Sequence, residues 1–272
     1  MQSTDLGTSS WVMCAGTLPQ ANFHERLIVA KAAGFHAVSL FPQDYQRALR
    51  EKVSAKDMRH MLADNDICIA ELDPLLDWVP GLPTMGAHED EFYRMADELG
   101  ARSINIALAH AQAVDEEKIV AAFSALCGRA RAYGLLVTLE FLPWSPVGNI
   151  EQALNIVKQA NCTNGGLMLD TWHHFRSGLD NAVLQNIPAE KIFSTQLSDA
   201  PKKAEDNVIN ETMQRRRLLG EGDIHFDEII KTLRAGHCQA PWGVEIFSQE
   251  LAKLPASDVA KMTAKSMHQL LN

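Results

Sequence analysis

Short apolar runs alternate with helix-like stretches along the whole of this 272-residue chain. The apolar runs have the length of buried parallel strands, and in order they are WVMCAGTL, HAVSLF, ICIAELD, SINIALAH, LLVTLEFL, GLMLDTW, IFSTQLSD and WGVEIFS. The helix-like stretches cover approximately 22–33, 54–64, 86–99, 115–133, 149–160, 179–187, 225–235 and 256–271. Eight strands alternating with eight helices predict an α/β protein with a closed (β/α)8 TIM barrel. The alternative is a doubly wound open sheet built from similar units.

Length and composition favour a single domain spanning residues 1–272. A hydrophobic content of 46% is enough for a sizeable core, and we find no linker or repeat. The formal net charge is −9, without a basic stripe. Nucleic acid is therefore not an expected partner, because phosphate binding needs clustered lysine and arginine. The one basic cluster, Arg215 to Arg217, suits a small anion or a hydroxylated substrate.

The sequence predicts a cytoplasmic protein without a membrane anchor. The N-terminal segment MQSTDLGTSS lacks the basic and apolar regions of a signal peptide. No apolar run reaches the length of a membrane span. The five cysteines are scattered and form no CxxC pair, which is typical of reduced, structural thiols.

Four oxygen-bearing side chains lie at the ends of consecutive apolar runs: Glu140, Asp170, Gln196 and Glu245. In a βα-barrel the carboxyl ends of the strands meet at one face, where active sites are built. Three carboxylates at that face would repel one another, and a divalent cation would compensate their charge. Hard oxygen donors favour Mg²⁺ or Mn²⁺. The alternative is that each residue caps a helix or pairs with a lysine or arginine by itself.

Several polar and aromatic residues also lie near the strand ends. Glu71 and Asp73 end the third run and His110 ends the fourth, so they are candidates to hydrogen-bond a substrate. An ordinary polar rim is the rival interpretation. Four aromatic residues could form an apolar wall or simply pack in the core: Trp11, Trp144, Trp172 and Phe247.

A long polar segment, residues 200–222, follows the seventh run. A long βα loop in a compact domain is often a lid or a binding loop. This one contains the arginine cluster and ends in the turn GEGD.

The sequence resembles the xylose-isomerase-like TIM-barrel superfamily of sugar phosphate isomerases and epimerases. The resemblance covers nearly the whole chain and is strongest over 136–252, in the stretches LDTWH, QLSDAP, RRRLLGEGDI and VEIFS. It implies that the metal ligands are Glu140, Asp170, Gln196 and Glu245. Many members have histidine on the seventh strand, so Gln196 is a departure that argues against zinc.

The resemblance also implies roles for three further residues. His173, three residues after Asp170, would bind a substrate oxygen or assist the metal centre, with His174 as a competitor. Arg217 would contact substrate hydroxyls, although Arg216 is only one residue away. Asp199 would either orient a ligand or cap the following loop.

The implied chemistry is proton abstraction next to the carbonyl of a keto-sugar or keto-polyol through an enediolate. Glu140 and Glu245 would exchange the proton, which makes an isomerase or epimerase the leading expectation. Loss of a β-hydroxyl would instead give a dehydratase of inosose or dehydroshikimate. A phosphodiesterase like the AP endonucleases would need more metal-binding histidines, and a sugar-binding barrel without activity would need no metal. The expected partner is a small hydroxylated keto compound, and a homo-oligomer is possible.

Overall fold

The computed structural model describes residues 3–271 as a closed barrel of eight parallel strands, paired in chain order. The barrel fold predicted from the sequence is therefore confirmed, and the open sheet is excluded. The strands are β1 (Trp11–Met13), β2 (Ala37–Leu40), β3 (Cys68–Leu75), β4 (Ser103–Ala107), β5 (Leu136–Glu140), β6 (Gly165–Asp170), β7 (Ile192–Leu197) and β8 (Trp242–Val244). Each strand overlaps one of the eight predicted apolar runs.

Helices alternate with these strands. Within residues 3–271 the α-helices are α1 (Phe23–Ala32), α2 (Pro42–Arg50), α3 (Ala55–Asp64), α4 (Glu89–Leu99), α5 (Glu116–Arg131), α6 (Ile150–Ala160), α7 (Thr171–Arg176), α8 (Val208–Gln214), α9 (Phe226–Ala235) and α10 (Ala256–Leu271). Seven of the predicted helical stretches are α-helices, and α2, α7 and α8 are additional. Capping side chains begin several of them. Asn22 Oδ1, for example, accepts a hydrogen bond from the Glu25 backbone N–H at 2.9 Å.

One predicted helix has a different form. The stretch 179–187 is a 3₁₀ helix over Asn181–Asn186, so the prediction of an α-helix there was wrong. Asparagine at both ends disfavours a longer helix, and Pro188 cannot continue the hydrogen-bond ladder. The short segment still connects β6 to β7, and the barrel closes without a full helix at this position.

Register determines which side chains point into the barrel. β4 and β5 pair with Ile104 opposite Val137 and Ala107 opposite Glu140. Successive side chains of a strand point to opposite faces, so Thr138 and Glu140 share the inner face while Val137 packs outward. Both faces are buried because helices cover the outside, which is why these strands are almost continuously apolar. Polar residues within them therefore need partners inside the barrel.

Two findings concern the molecule as a whole. None of the helices in residues 3–271 is long and apolar enough to cross a membrane. All five cysteines are buried, and none of them forms a disulfide in the described part of the chain.

Candidate active site

The four strand-end residues lie together, buried at the carboxyl end of the barrel. Glu140 ends β5, Asp170 ends β6, and Gln196 on β7 is the register partner of Asp170. Glu245 directly follows β8, and its backbone N–H donates to Leu197 O at 2.9 Å. All four side chains belong to residues that are at most 7% exposed. Strand pairing therefore places these oxygens without help from the loops.

A chain of contacts through His173 and Arg216 links three of these side chains, Glu140, Asp170 and Glu245. His173 Nε2 lies 3.4 Å from Glu140 Oε1 and 3.8 Å from Asp170 Oδ2. Arg216 Nη1 donates to Asp170 Oδ2 at 2.7 Å and lies 3.9 Å from Glu245 Oε2. Arg216 Nη2 donates to His173 Nε2 at 3.3 Å. Because a guanidinium has only donors, this places the proton of a neutral His173 ring on Nδ1.

The residues fit a divalent cation. Ligand atoms of Glu140, Asp170 and His173 lie within 4.8 Å of one another, and among the described residues Glu245 does not belong to this closest group. Gln196 Oε1 and Glu245 Oε1 are buried, and neither has a hydrogen-bond partner in residues 3–271. An unsatisfied buried polar atom costs about 1–3 kcal/mol, and coordination to a cation would remove that cost. Carboxylate and amide oxygens near one imidazole nitrogen form a suitable donor set for such an ion.

Burial changes the acid–base properties of two carboxyl groups in the site. It raises the pKa of Glu140 and Glu245 well above the usual range, and the nearby charge of Asp73 raises both further. The guanidinium of Arg216 acts in the opposite direction without cancelling the effect. A carboxylate with a raised pKa is a stronger base, so both groups are suited to accept a proton.

Asp170 and His173 are shifted in other ways. Burial alone would raise the pKa of Asp170, but the charge of Arg216 and the hydrogen bonds from Arg216 and from the His173 backbone N–H outweigh it and lower that pKa. Burial lowers the pKa of His173 to about 4, although Asp170 opposes the change. The expected state at neutral pH is thus an ionised Asp170 beside a neutral imidazole.

The basic cluster 215–217 places only its middle residue inside the site. An antiparallel bridge pairs Arg217 with Asp199, and side chains of extended backbone alternate in direction. Arg216 is 3% exposed and points inward, whereas the Arg217 side chain is exposed and its Nη1 donates to Glu221 O at 2.9 Å. Arg217, the residue expected to contact substrate, therefore does not reach the cluster. Arg216, the alternative considered from the sequence, is the arginine that contacts Asp170 and His173.

Asp199 holds the turn at the end of the loop. Its Oδ2 accepts from the backbone N–H groups of Gly220 and Gly222, both at 2.9 Å. Its Oδ1 accepts from Ala200 N at 2.8 Å and from Ile224 N at 3.2 Å. A Cβ on Gly222 would lie 2.3 Å from Asp199 Oδ1, so glycine is required at this close approach. Asp199 therefore has the capping role, and its carboxylate is engaged by the loop backbone.

The loop 200–222 is anchored beside the site. Glu211 on α8 and Arg176 at the end of α7 form a buried ion pair. Arg176 Nη2 also donates to Pro201 O at 2.7 Å. The next residue of α8, Thr212, accepts from Arg216 Nη2 through its Oγ1 at 2.9 Å. Docking of α8 against α7 thus holds Arg216 in the site from the loop side.

Sequence reasoning missed the amide of Asn105. Its Nδ2 donates to Asp73 Oδ1 at 2.9 Å and to Glu140 Oε2 at 2.7 Å. Asp73 Oδ2 in turn accepts from Gln196 Nε2 at 3.0 Å. Burial raises the pKa of Asp73 to about 6, while hydrogen bonds from the two amides oppose the shift. The available signal was a lone amide inside the otherwise apolar run SINIA.

Of two predicted substrate-binding residues, Glu71 lies beside the site and His110 lies away from it. Glu71 precedes Asp73 by two residues, so it faces the same interior but lies deeper in the barrel. Burial, followed by the charge of Asp73, raises the pKa of Glu71 to about 8, and a hydrogen bond with Gln196 acts in the opposite direction. His110 is partly exposed, and its Nε2 lies 3.0 Å from Pro83 O. Glu71 is therefore linked to the metal-ligand candidate Gln196, whereas His110 is bonded to a loop.

Three of the four aromatic residues considered as a wall flank the site: Trp144, Trp172 and Phe247. The rings of Trp144 and Trp172 meet the His173 ring edge-on, with centroids 5.4 Å and 5.2 Å apart. Trp11 begins β1 and therefore lies at the opposite end of the barrel. The site thus has apolar edges around its charged centre.

In TIM barrels active sites lie at the carboxyl end of the strands, and this buried cluster at that end could hold a divalent metal ion. The chain belongs to the xylose isomerase-like TIM barrel family, whose sequence model matches residues 27–270. The family resemblance proposed from the sequence is therefore confirmed.

Named relatives come from two reaction classes. A 3-dehydroshikimate dehydratase of Pseudomonas putida is 28% identical over 94% of this chain and 40% of its own length. An inosose isomerase of Halalkalibacterium halodurans is 26% identical over 92% of both chains. The chain therefore spans about two fifths of the length of the dehydratase and nearly all of the isomerase.

A solved structure of similar fold is the IOLI protein with a bound zinc atom. It superposes with a TM-score of 0.85 at 21% identity, covering 96% of this chain and 98% of the other. This similarity confirms the fold.

Proposed function

We propose that this chain is a metal-dependent enzyme that removes a proton next to the carbonyl of a cyclic hydroxylated ketone. One divalent cation would be held by Glu140, Asp170, Gln196 and Glu245. The main support is that Gln196 Oε1 and Glu245 Oε1 are buried without a partner among the described residues, beside two further carboxylates.

The donor set supports a hard divalent cation. Three carboxylates and an amide oxygen favour Mg²⁺ or Mn²⁺ over metals that prefer sulfur or nitrogen. His173 Nε2 lies 3.4 Å from Glu140 Oε1, so one nitrogen donor is also within reach. When bound, the cation supplies positive charge that stabilises an enolate oxygen.

The proton transfer is assigned to Glu140 and Glu245. Their strand ends approach the centre from different positions around the barrel, and both have raised pKa values. One carboxylate accepts the α-proton, which breaks the C–H bond and leaves its electron pair on the substrate. Arg216, which donates to Asp170 and His173, is the buried positive charge that we place beside the reacting centre, in the position first expected for Arg217.

We favour dehydration as the outcome. After proton removal, the β-carbon–oxygen bond breaks and a carbon–carbon double bond forms. The carboxylic acid made in the first step can protonate the departing hydroxyl, which leaves as water. The support is the dehydratase relative, whose match extends over 94% of this chain. The aromatic edges formed by Trp144 and Phe247 also suit the apolar face of a ring.

Isomerisation is the second candidate. It uses the same first step, but the proton returns to carbon on the substrate, so no water is lost. The inosose isomerase relative supports it, since the two chains match over 92% of each.

A single assay separates these outcomes. Protein freed of metal and then given Mn²⁺ is incubated with 3-dehydroshikimate or an inosose in D₂O, and proton NMR follows the α-proton. Dehydration predicts loss of substrate and a new ultraviolet band, at longer wavelength than any band of the substrate, from a product with one more conjugated double bond. Isomerisation predicts deuterium incorporation with a new ketone and no such new band. If neither substrate class shows α-proton exchange, the proposed function is wrong.

A further inference from the structure

Asp73 on β3, Asn105 on β4 and Thr138 on β5 form a buried hydrogen-bonded group beneath the site, which we name the amide-orienting group. We infer that this group fixes which atoms of two proposed metal ligands face the cation. This inference rests on the proposed metal centre and extends it to side chains that do not touch the metal.

The direction of the Asn105 amide is set by two carboxylates and supported from β5. Asp73 and Glu140 can only accept hydrogen bonds, so the Asn105 NH₂ faces them and donates to both. Thr138 Oγ1 donates at 2.9 Å to Asn105 Oδ1, the amide oxygen on the other side, and so stabilises this direction. All these residues are at most 7% exposed, so solvent water does not compete for their hydrogen bonds.

The direction of the Gln196 amide follows from Asp73. An amide side chain can present either oxygen or nitrogen to a metal, but only the oxygen is a ligand. Asp73 Oδ1 is already engaged by Asn105, and its Oδ2 accepts from Gln196 Nε2 at 3.0 Å. A carboxylate can only accept, so Gln196 must give its NH₂ to Asp73. Its Oε1 is left buried without another partner in residues 3–271.

Glu140 is oriented by the same group. Its Oε2 accepts from Asn105 Nδ2 at 2.7 Å, while its Oε1 lies 3.4 Å from His173 Nε2. Glu140 Oε2 is therefore held by Asn105 of β4, and Glu140 Oε1 faces His173 and the proposed metal position. The amide-orienting group thus controls ligands on β5 and β7 together, which explains why β3 and β4 have polar residues in their inner faces.

The experiment measures Mn²⁺ affinity rather than turnover. Free Mn²⁺ is followed by electron paramagnetic resonance during titration of chelator-treated protein. Asp73→Asn places an NH₂ opposite the Gln196 NH₂, so the glutamine should turn its nitrogen toward the metal. We expect affinity to fall about 10–100-fold, as for other residues that orient metal ligands.

The double variant Asp73→Asn with Gln196→Glu exchanges the two roles. The new asparagine NH₂ can donate to one oxygen of the new glutamate, whose other oxygen faces the metal, and the total formal charge is unchanged. This variant should recover to within about threefold of the wild type.

A second pair of variants leaves the charge of the site unchanged, so it separates an effect of amide orientation from an effect of charge on Mn²⁺ affinity. Thr138→Val removes only the hydroxyl that supports the direction of the Asn105 amide, and it should lower Mn²⁺ affinity about threefold or more. Thr195→Val is the matched control, because Thr195 is equally buried next to Gln196 but bonds to Pro241 O instead. Its affinity should equal that of the wild type.

The inference is overturned if Asp73→Asn binds Mn²⁺ as tightly as the wild type. It is also overturned if Thr138→Val behaves like Thr195→Val, since charge alone would then explain the Asp73 result. A wild type that binds Mn²⁺ normally but lacks turnover would contradict the proposed function and leave this inference standing. A wild type without Mn²⁺ affinity would overturn both.

Discussion

The strand ends and the loop 200–222 contribute to the same site through different kinds of structure. Asp170 and Gln196 are register partners in a closed ladder of parallel strands. Arg216 reaches the site from a loop that is held by a bridge at Arg217 and by the docking of α8. The strand-end oxygens are therefore fixed by the whole barrel, whereas the guanidinium depends on a few local contacts.

This difference predicts a division of roles. Changes at the strand ends should affect metal binding and proton transfer directly. Changes in the loop should affect mainly the handling of substrate, because the strands hold the ligands and Arg216 is the loop residue that hydrogen-bonds one of them, Asp170.

The largest effect is expected at Asp170. Asp170→Ala removes a buried carboxylate from the proposed metal shell, and no other side-chain carboxylate among the described residues accepts a hydrogen bond from Arg216. We expect Mn²⁺ affinity to fall more than about 100-fold, with loss of measurable turnover. Calorimetric titration checks this. Asp180→Ala, which removes an exposed helix-capping carboxylate, should bind Mn²⁺ normally, and equal affinity in the two variants would refute the assignment.

The next effect is expected at Glu245. Glu245→Gln keeps an oxygen in place but removes a proton acceptor, so turnover should fall about 10²–10⁴-fold. Mn²⁺ binding should change much less. The measurement is α-proton exchange in D₂O under saturating Mn²⁺. Glu250→Gln, an exposed neighbour, is the control. Near-normal exchange in Glu245→Gln would exclude a two-carboxylate mechanism.

Variants of Arg216 and Arg217 test which arginine of the loop contributes to turnover. Arg216→Ala should lower kcat/KM about 10²-fold, comparable to the loss of one charge-stabilising donor. Arg217→Ala should stay within about twofold of the wild type, because its side chain is exposed and bonds only to the loop backbone in the described residues. Kinetics of both variants at saturating Mn²⁺ provide the check. A large loss in Arg217→Ala with normal Arg216→Ala would return the substrate contact to Arg217.

The smallest effect concerns the tether of the loop. Glu211→Gln weakens the buried pair with Arg176, so the loop should open more often. Trypsin should then cleave after Lys202 or Lys203 at least about tenfold faster, whereas Mn²⁺ affinity should not change. Glu205→Gln, on the exposed side of the same loop, should be cleaved at the wild-type rate. Identical cleavage of both variants would show that the ion pair does not hold the loop.

The sequence predicted the barrel because its eight apolar runs are long enough to be recognised one by one. It also predicted that Glu140, Asp170, Gln196 and Glu245 converge, since the ends of parallel strands share one face. These inferences depend only on the order and period of residues. The helix predicted at 179–187 failed because weak helix formers and Pro188 outweigh a short apolar pattern.

The remaining parts of the site depend on contacts that a sequence pattern does not contain. Arg216 rather than Arg217 points inward because the bridge between Arg217 and Asp199 fixes which side chains of this extended segment face the barrel. The sequence pattern does not predict that bridge, since both segments have the composition of loops. Asn105 is buried within a strand, so its partners on β3 and β5 follow from register and shear of the closed barrel. Such features become visible only when the strands are placed side by side.

The central claim is that one divalent cation binds at the strand ends. The most direct measurement is a crystal structure of the Mn²⁺-loaded protein with anomalous diffraction data collected at the manganese absorption edge. One strong peak is expected within about 2.0–2.6 Å of oxygens from Glu140, Asp170, Gln196 and Glu245. A peak at another place, or the same four side chains pointing away from one another with no peak between them, would contradict the claim.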